Sequence, residues 1–315
     1  RPPRSTLFPY TTLFRSVELV RASIRMVTPL LFTALGGAWT QQTGILNIGQ
    51  EGAMLLASFF AILGNYLLGG WIAGVLCAIA ASLAYNILFG LLCVTLRSNI
   101  WVVGMTMNIL ADDIAMILMK FFFHTKGGFR DPSIVPMPDI SLPFLPEWLN
   151  GLSVAVWAAI VVLVVMLRID RSTVFGLRLK CAGENEDALA SAGVSPTRMR
   201  YVALLVNGVL VGAAGAYLST SYLVAFVVGM SAGRGWIAVA AVIFGNGHLG
   251  WTIVGVCLFG LAQATGIELQ SHGFSSHLAL MLPYLLVVAV LVAKQWRLPG
   301  RERPGRSAPA QGNPR

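Results

Sequence analysis

Apolar runs separated by short polar or glycine-rich joints recur along almost the whole chain, at 26–40, 51–68, 71–96, 101–123, 151–167, 201–223, 234–246, 251–269 and 277–294. About 20 mostly apolar residues carry a helix across a bilayer, so the pattern predicts an all-α, polytopic membrane bundle of about nine spans. The runs 26–40 and 234–246 are short and are predicted to be broken or re-entrant. Such backbone is tolerated at membrane depth only inside protein or beside a wet cavity. Gly69-Gly70, Gly127-Gly128 and Gly151 mark joints. The segment 124–150 holds Pro132, Pro136, Pro138, Pro143 and Pro146 and reads as an extended loop with a short surface helix near Trp148.

Composition strengthens the membrane reading. Of 315 residues, 56% are hydrophobic and only 11% charged, against about 25% charged in a soluble domain. That excludes a soluble enzyme, a disordered chain and a nucleic-acid-binding domain, and makes lipid the medium for most of the chain. The net charge of +9 is concentrated at 1–25, 168–200 and 294–315. Basic residues gathered between spans are topology signals. Arg97, the 168–200 loop and the C-terminal tail all fall on the cytoplasmic side if residue 25 starts outside, which places 124–150 outside and the C-terminus in the cytoplasm.

The stretch 1–16 has no apolar helical period, and Pro2, Pro3 and Pro9 break a helix. Ser5–Ser16 looks like a translated sequencing-adapter primer, so 1–16 is expected to be a non-native leader with a natural start, and a span with it, missing. The membrane-spanning body is expected over 17–296, and 297–315 as a basic, disordered tail. Cys77, Cys93, Cys181 and Cys257 form no C-x-x-C pair and read as small core residues.

Four segments carry candidate chemistry. The first, GILNIGQEG over 44–52, packs three glycines with Asn47 and Glu51 between two apolar runs. It reads either as a broken helix beside a transport path or as a turn with Glu51 favourably placed in a first helical turn. The second is Asn108, Asp112 and Asp113 on the fourth run. Asn108 and Asp112 are four apart and are expected on one face, lining a path or bonding another helix.

The third is the 168–200 loop, where Asn185 is expected to cap a short helix over 186–192 that stops at Gly193 and Pro196. Its small apolar face, Ala188, Leu189 and Ala192, suits a partner's groove, and an ordinary connector is the alternative. The fourth is SAGRGWIAVAAVIFG over 231–245, a charged residue between glycines followed by small residues suited to close packing. No Walker P-loop, H-E-x-x-H or G-x-S-x-G occurs, and the four histidines have no ligand spacing.

In this order, GILNIGQEGAML, VVGMTMNILA, GLRLKCAGENEDALASAGV and SAGRGWIAVAAVIFG resemble the permease subunits of bacterial ABC importers, in the branch that handles simple sugars and nucleosides, nearer the nucleoside side. The likeness spans about residues 20–296; Asp112 and Asp113 depart from the apolar or small residues expected there. It implies a non-enzymatic subunit of the bacterial inner membrane that works by alternating access. Asn47, Glu51, Asn108 and Asp112 would lie along the substrate path. Glu184, Asn185, Ala188, Ala192 and Gly193 would couple to a separate ATPase subunit. No cofactor or metal is expected on this chain, since ATP would be bound by that partner. A second permease subunit and a substrate-binding lipoprotein or periplasmic protein would complete the assembly. The rival class is an ion-coupled secondary transporter using Glu51, Asp112 or Asp113 as its ion site.

Overall fold

The computed structural model describes residues 10–141, 150–271 and 276–296. The chain forms α1 (Tyr10–Gln42), α2 (Gln50–Leu68), α3 (Trp71–Gly90), α4 (Ile100–Phe123), α5 (Val154–Ser172), α6 (Val174–Glu184), α7 (Glu186–Ser191), α8 (Pro196–Tyr217), α9 (Arg234–Gly245), α10 (Leu249–Ser271) and α11 (Ser276–Trp296). Each of the nine apolar runs corresponds to a helix. Among the described residues, six helices are long and apolar enough to cross a membrane: α1 from Glu18, α2, α3, α4, α8 and α10. Of the other three, α9 has 12 residues and α5 carries Arg168, Asp170 and Arg171 in its final turns.

The run 26–40 is not broken, contrary to expectation. It is the last part of the 33-residue α1. Glu18, Arg21 and Arg25 end the apolar run without ending the helix, because charge at a helix end costs no backbone bond. The same helix includes Tyr10–Ser16, so that part of the 1–16 stretch is helical. Pro29 sits inside α1 and cannot bond the carbonyl of Arg25 four residues back. Tyr217 of α8 donates its hydroxyl to that carbonyl at 3.2 Å.

A central cluster of α1, α2, α3 and α8 forms the core, with α10 and α9 against α1 and α4 against α2. Close packing comes from small residues. A Cβ at Gly212 would lie 2.6 Å from the Cα of Ile79, and one at Gly215 would lie 2.6 Å from the carbonyl oxygen of Met54. Ser58 bonds back to the carbonyl of Gly215 at 3.0 Å. Leu30, Leu35, Met54, Phe59, Phe89, Phe226 and Phe259 are fully buried around this seam. Both α3 and α8 end in a π-helical turn, Leu91–Thr95 and Leu218–Tyr222.

At one end of the bundle the proline-rich segment is more ordered than an extended loop. β1 (Gly128–Phe129) pairs antiparallel with β4 (Phe226–Val227), and β2 (Asp139–Ile140) with β3 (Leu152–Ser153). Asn65 at the end of α2 holds the backbone of Val135 through both amide atoms, at 2.7 and 3.1 Å. Such ladders are too short to show a period in sequence. The helix expected near Trp148 and the tail 297–315 lie outside the described residues.

At the opposite end, most of the expected 168–200 loop is helix. α6 follows α5 after Thr173, whose hydroxyl accepts from the N–H of Gly176 at 3.2 Å. Pro196 does more than stop α7: it opens α8 at a first-turn position, where its fixed φ suits a helix.

Candidate functional site

Between α1 and α2 the chain leaves helical geometry at Thr43–Gly49 and stays largely buried. Several of its polar groups are bonded by the surrounding helices. The Asn47 side chain donates to Asn86 Oδ1 of α3 at 2.8 Å and accepts from the N–H of Gly49 at 3.0 Å. Asn207 of α8 donates to the same Asn86 oxygen at 3.2 Å, and Gln50 donates to Asn207 at 3.4 Å. Asn47, Asn86 and Asn207 are fully buried. This amide network fixes an irregular segment inside the bundle, as irregular backbone at membrane depth requires.

Two helices begin inside the bundle with glycine N-caps, which have no side chain to satisfy the first N–H groups. In each case another helix supplies the cap. For α2, capped at Gly49, Asn108 Oδ1 of α4 accepts from the N–H of Gly52 at 2.8 Å, while its amide donates to the carbonyl of Ile48 at 3.0 Å. For α9, capped at Gly233, the Glu51 carboxylate of α2 accepts from the N–H of Gly233 at 2.8 Å and from that of Gly235 at 2.6 Å. A carboxylate there also meets the positive end of the helix dipole. Gly233 is in the left-handed region, φ 76°, as its place at the break demands. Arg234, between the glycines, turns back to the carbonyls of Met230 and Ser231 and lies 5.8 Å from the ring centroid of Tyr222. The run 234–246 is therefore a half-length helix, as its shortness suggested. α4 holds α2, and α2 holds α9.

This arrangement predicts a measurable cost. Asn108→Leu strands the Gly52 N–H and the Ile48 carbonyl in apolar surroundings, about 1–3 kcal/mol for each buried group left unpaired. The variant is expected to insert but to unfold at lower temperature in detergent, with uptake reduced. An unchanged melting curve would contradict the capping role.

Asn108 and Asp112 lie on one side of α4 but differ in burial. Asn108 is buried and Asp112 is exposed with Asp113. Four residues rotate a helix about 40° beyond one turn. The contact face of α4 is narrow, formed by Gly104, Met107, Asn108, Ala111, Ala115 and Met119, so Asp112 clears it. The two carboxylates sit at the middle of the 24-residue α4, on a face with exposed Met105, Ile109 and Ile117.

At the end of the bundle where α1 stops, α7 is capped as expected: Asn185 Oδ1 accepts from the N–H of Ala188 at 2.9 Å. Gly193 takes φ 77° and donates to the carbonyl of Ala190 at 2.9 Å. The expected apolar face is split, however. Leu189 is buried against the protein, while Glu184, Asn185, Ala188, Ala192 and Gly193 are exposed. A helix this short needs one anchor, and Leu189 provides it. Arg200 of α8 pairs with Glu186 and donates through Nε to the carbonyl of Thr43 at 3.2 Å. Gly183 lies so close to the end of α1 that a Cβ there would sit 2.8 Å from the nitrogen of Gly44. The exposed helix is thus joined to the irregular Thr43–Gly49 segment.

Sequence reasoning passed over Asn86, Asn207 and Arg200. Asn86 and Asn207 are lone amides inside long apolar runs, a pattern that marks interhelical hydrogen bonds. Arg200 was counted only as loop charge.

These features define an α-helical membrane transport subunit: interrupted helices meeting inside a bundle, and a short exposed helix linked to them. The chain belongs to the branched-chain amino acid transport system / permease component family, whose model matches residues 19–291. It is 32% identical over 269 residues to a protein of Haloferax volcanii that carries the name of a glucose ABC transporter permease, covering 80% of this chain and 78% of that one. It is 26% identical over 297 residues to a guanosine ABC transporter permease of Bacillus subtilis, covering 87% and 90%. With a nucleoside ABC transporter permease of Lactococcus lactis it shares 29% identity over 287 residues, covering 84% and 88%. No solved structure matches the chain.

Proposed function

We propose that this chain is the membrane-spanning subunit of an ATP-driven ABC importer for nucleosides or simple sugars, working by alternating access. The observation that carries the reading is the joint between α7 and the broken helices. An ATPase seated on the exposed face of Glu184, Asn185, Ala188, Ala192 and Gly193 would move α7. Arg200 would pass that movement to Thr43, and the interhelical caps would pass it through α2 to α9. Asn47, Glu51 and Asn108 support the substrate path from within the bundle, and Asp112 lines it. The names borne by the three relatives support the substrate class and the ABC assembly.

Asp112 and Asp113 bear on the second permease subunit. A carboxylate facing lipid at mid-bilayer costs about 2.5–3.5 kcal/mol on insertion scales. Two of them on one exposed face argue that this face of α4 is turned to a path shared with a second permease subunit. A substrate-binding lipoprotein or periplasmic protein would meet the end carrying β1–β4. The ion-driven alternative is disfavoured at Glu51, whose carboxylate is occupied by the N–H groups of Gly233 and Gly235.

In this reading α7 is cytoplasmic, the C-terminus lies on the same side and the host membrane is the bacterial inner membrane. A variant keeping Cys181 as its one cysteine tests the orientation. An impermeant thiol reagent is expected to label it in inside-out vesicles and not in intact cells; labelling in intact cells would reverse the topology. Substrate class is tested by uptake of labelled guanosine and labelled glucose in cells expressing the whole transporter. Uptake of one, competed by its own class, is expected. Uptake of neither would remove both classes.

A further inference from the structure

A cavity of about 590 Å³ lies where α5 ends, beside α6 and the start of α10, lined by Leu167, Asp170, Arg171, Lys180, His248 and Trp251 among others. It belongs neither to the interhelical caps nor to the exposed face of α7. Lys180 donates to the carboxylate of Asp170 at 3.1 Å and to its backbone carbonyl at 3.0 Å, which offsets that acid. Arg171 is exposed and has no ion pair among the described residues. Arg171 and His248 are thus left to face an anion, and the free N–H groups in the first turn of the 23-residue α10 add to the same field.

The apolar surroundings show what kind of anion. α5 runs into the cavity and α10 runs out of it. Ile160, Val164 and Leu167 follow one side of α5 at helical spacing, and the first two are exposed. Trp251, Val254, Leu258 and Leu261 do the same on α10, and all four are exposed. Both stripes therefore lead away from the charged cavity along α5 and α10. Trp251, at the rim and edge-on to Phe244, is the side chain expected at a headgroup boundary.

We propose that this cavity binds the phosphate headgroup of an anionic phospholipid, with its acyl chains lying along the α5 and α10 stripes. The headgroup would be held by the Arg171 guanidinium and a ring N–H of His248, with Lys180 as a second cation shared with Asp170. Lipid would then brace α5 and α6 against α10 beside the coupling helix. A free phosphate ion would use the charges and leave the stripes uncovered.

The test is native mass spectrometry of the full-length chain in detergent, titrated with phosphatidylglycerol, with phosphatidylcholine, and with phosphatidylglycerol plus excess inorganic phosphate. The expected result is one retained phosphatidylglycerol per chain, favoured over phosphatidylcholine by about tenfold, and not displaced by phosphate. The double substitution Arg171→Ala, His248→Ala should abolish the preference, and Arg171→Lys should keep it, which separates lost charge from lost fold. Equal retention of both lipids by the native chain, an undiminished preference in the double variant, or displacement by inorganic phosphate would overturn the proposal. None of these readouts involves uptake, so the result stands apart from the transport reading.

Discussion

Gly235→Val is expected to abolish uptake. At Gly235 a Cβ would lie 2.5 Å from the Cα of Glu51 and 2.6 Å from its nitrogen. Those are backbone atoms of another helix, so neither a rotamer change nor a small shift relieves the clash. The start of α9 must withdraw from α2, and the carboxylate then loses both N–H donors. Two part-buried donors without an acceptor cost up to about 1–3 kcal/mol each, in addition to the overpacking. Glu51→Gln separates the causes. It keeps the side-chain shape and one acceptor oxygen, and it should retain more stability and uptake than Gly235→Val. The measurements are uptake per molecule of inserted protein and the thermal unfolding midpoint in detergent. Native-like uptake by Gly235→Val would show that α9 need not dock on Glu51.

The second large effect concerns coupling, and two substitutions should split it. Ala188 is exposed on α7 beside the Asn185 cap. Ala188→Glu puts a charge into the face proposed for the ATPase while leaving Leu189, the anchor, in place. An unpaired charge at the centre of an interface costs about 2–4 kcal/mol, roughly 30- to 1000-fold in affinity, so the ATPase should no longer co-purify. Arg200→Ala acts behind that face. It removes the links to Glu186 and to the carbonyl of Thr43 but leaves the docking surface intact. The ATPase should still bind, while substrate no longer stimulates its hydrolysis. If Ala188→Glu assembles normally, the docking face is wrong. If Arg200→Ala couples normally, the path through Thr43 is wrong.

Much of this was legible in the chain because membrane helices have a strong signal. Each apolar run returned as a helix, and residues that act locally were read correctly: Asn185 as a cap, Gly193 as a left-handed stop, the 234–246 run as a short helix. What failed was longer in range. Nothing local says that Asn108 caps α2 or that Glu51 caps α9, since both partners are backbone N–H groups more than 50 residues away. Asn108 and Asp112 are neighbours on α4 as their spacing says, but its narrow contact face buries the first and leaves the second exposed. Ala188, Leu189 and Ala192 looked like one surface until burial of Leu189 divided it. The start of α1 was missed because charge ends an apolar run without ending a helix.

The most direct measurement is uptake into proteoliposomes holding this chain with its ATPase and partner permease, supplied with binding protein and substrate. The account predicts accumulation that requires ATP on the α7 side and persists when ionophores collapse every ion gradient. Accumulation by the chain without the ATPase, driven by a proton or sodium gradient and lost with ionophore, would contradict it.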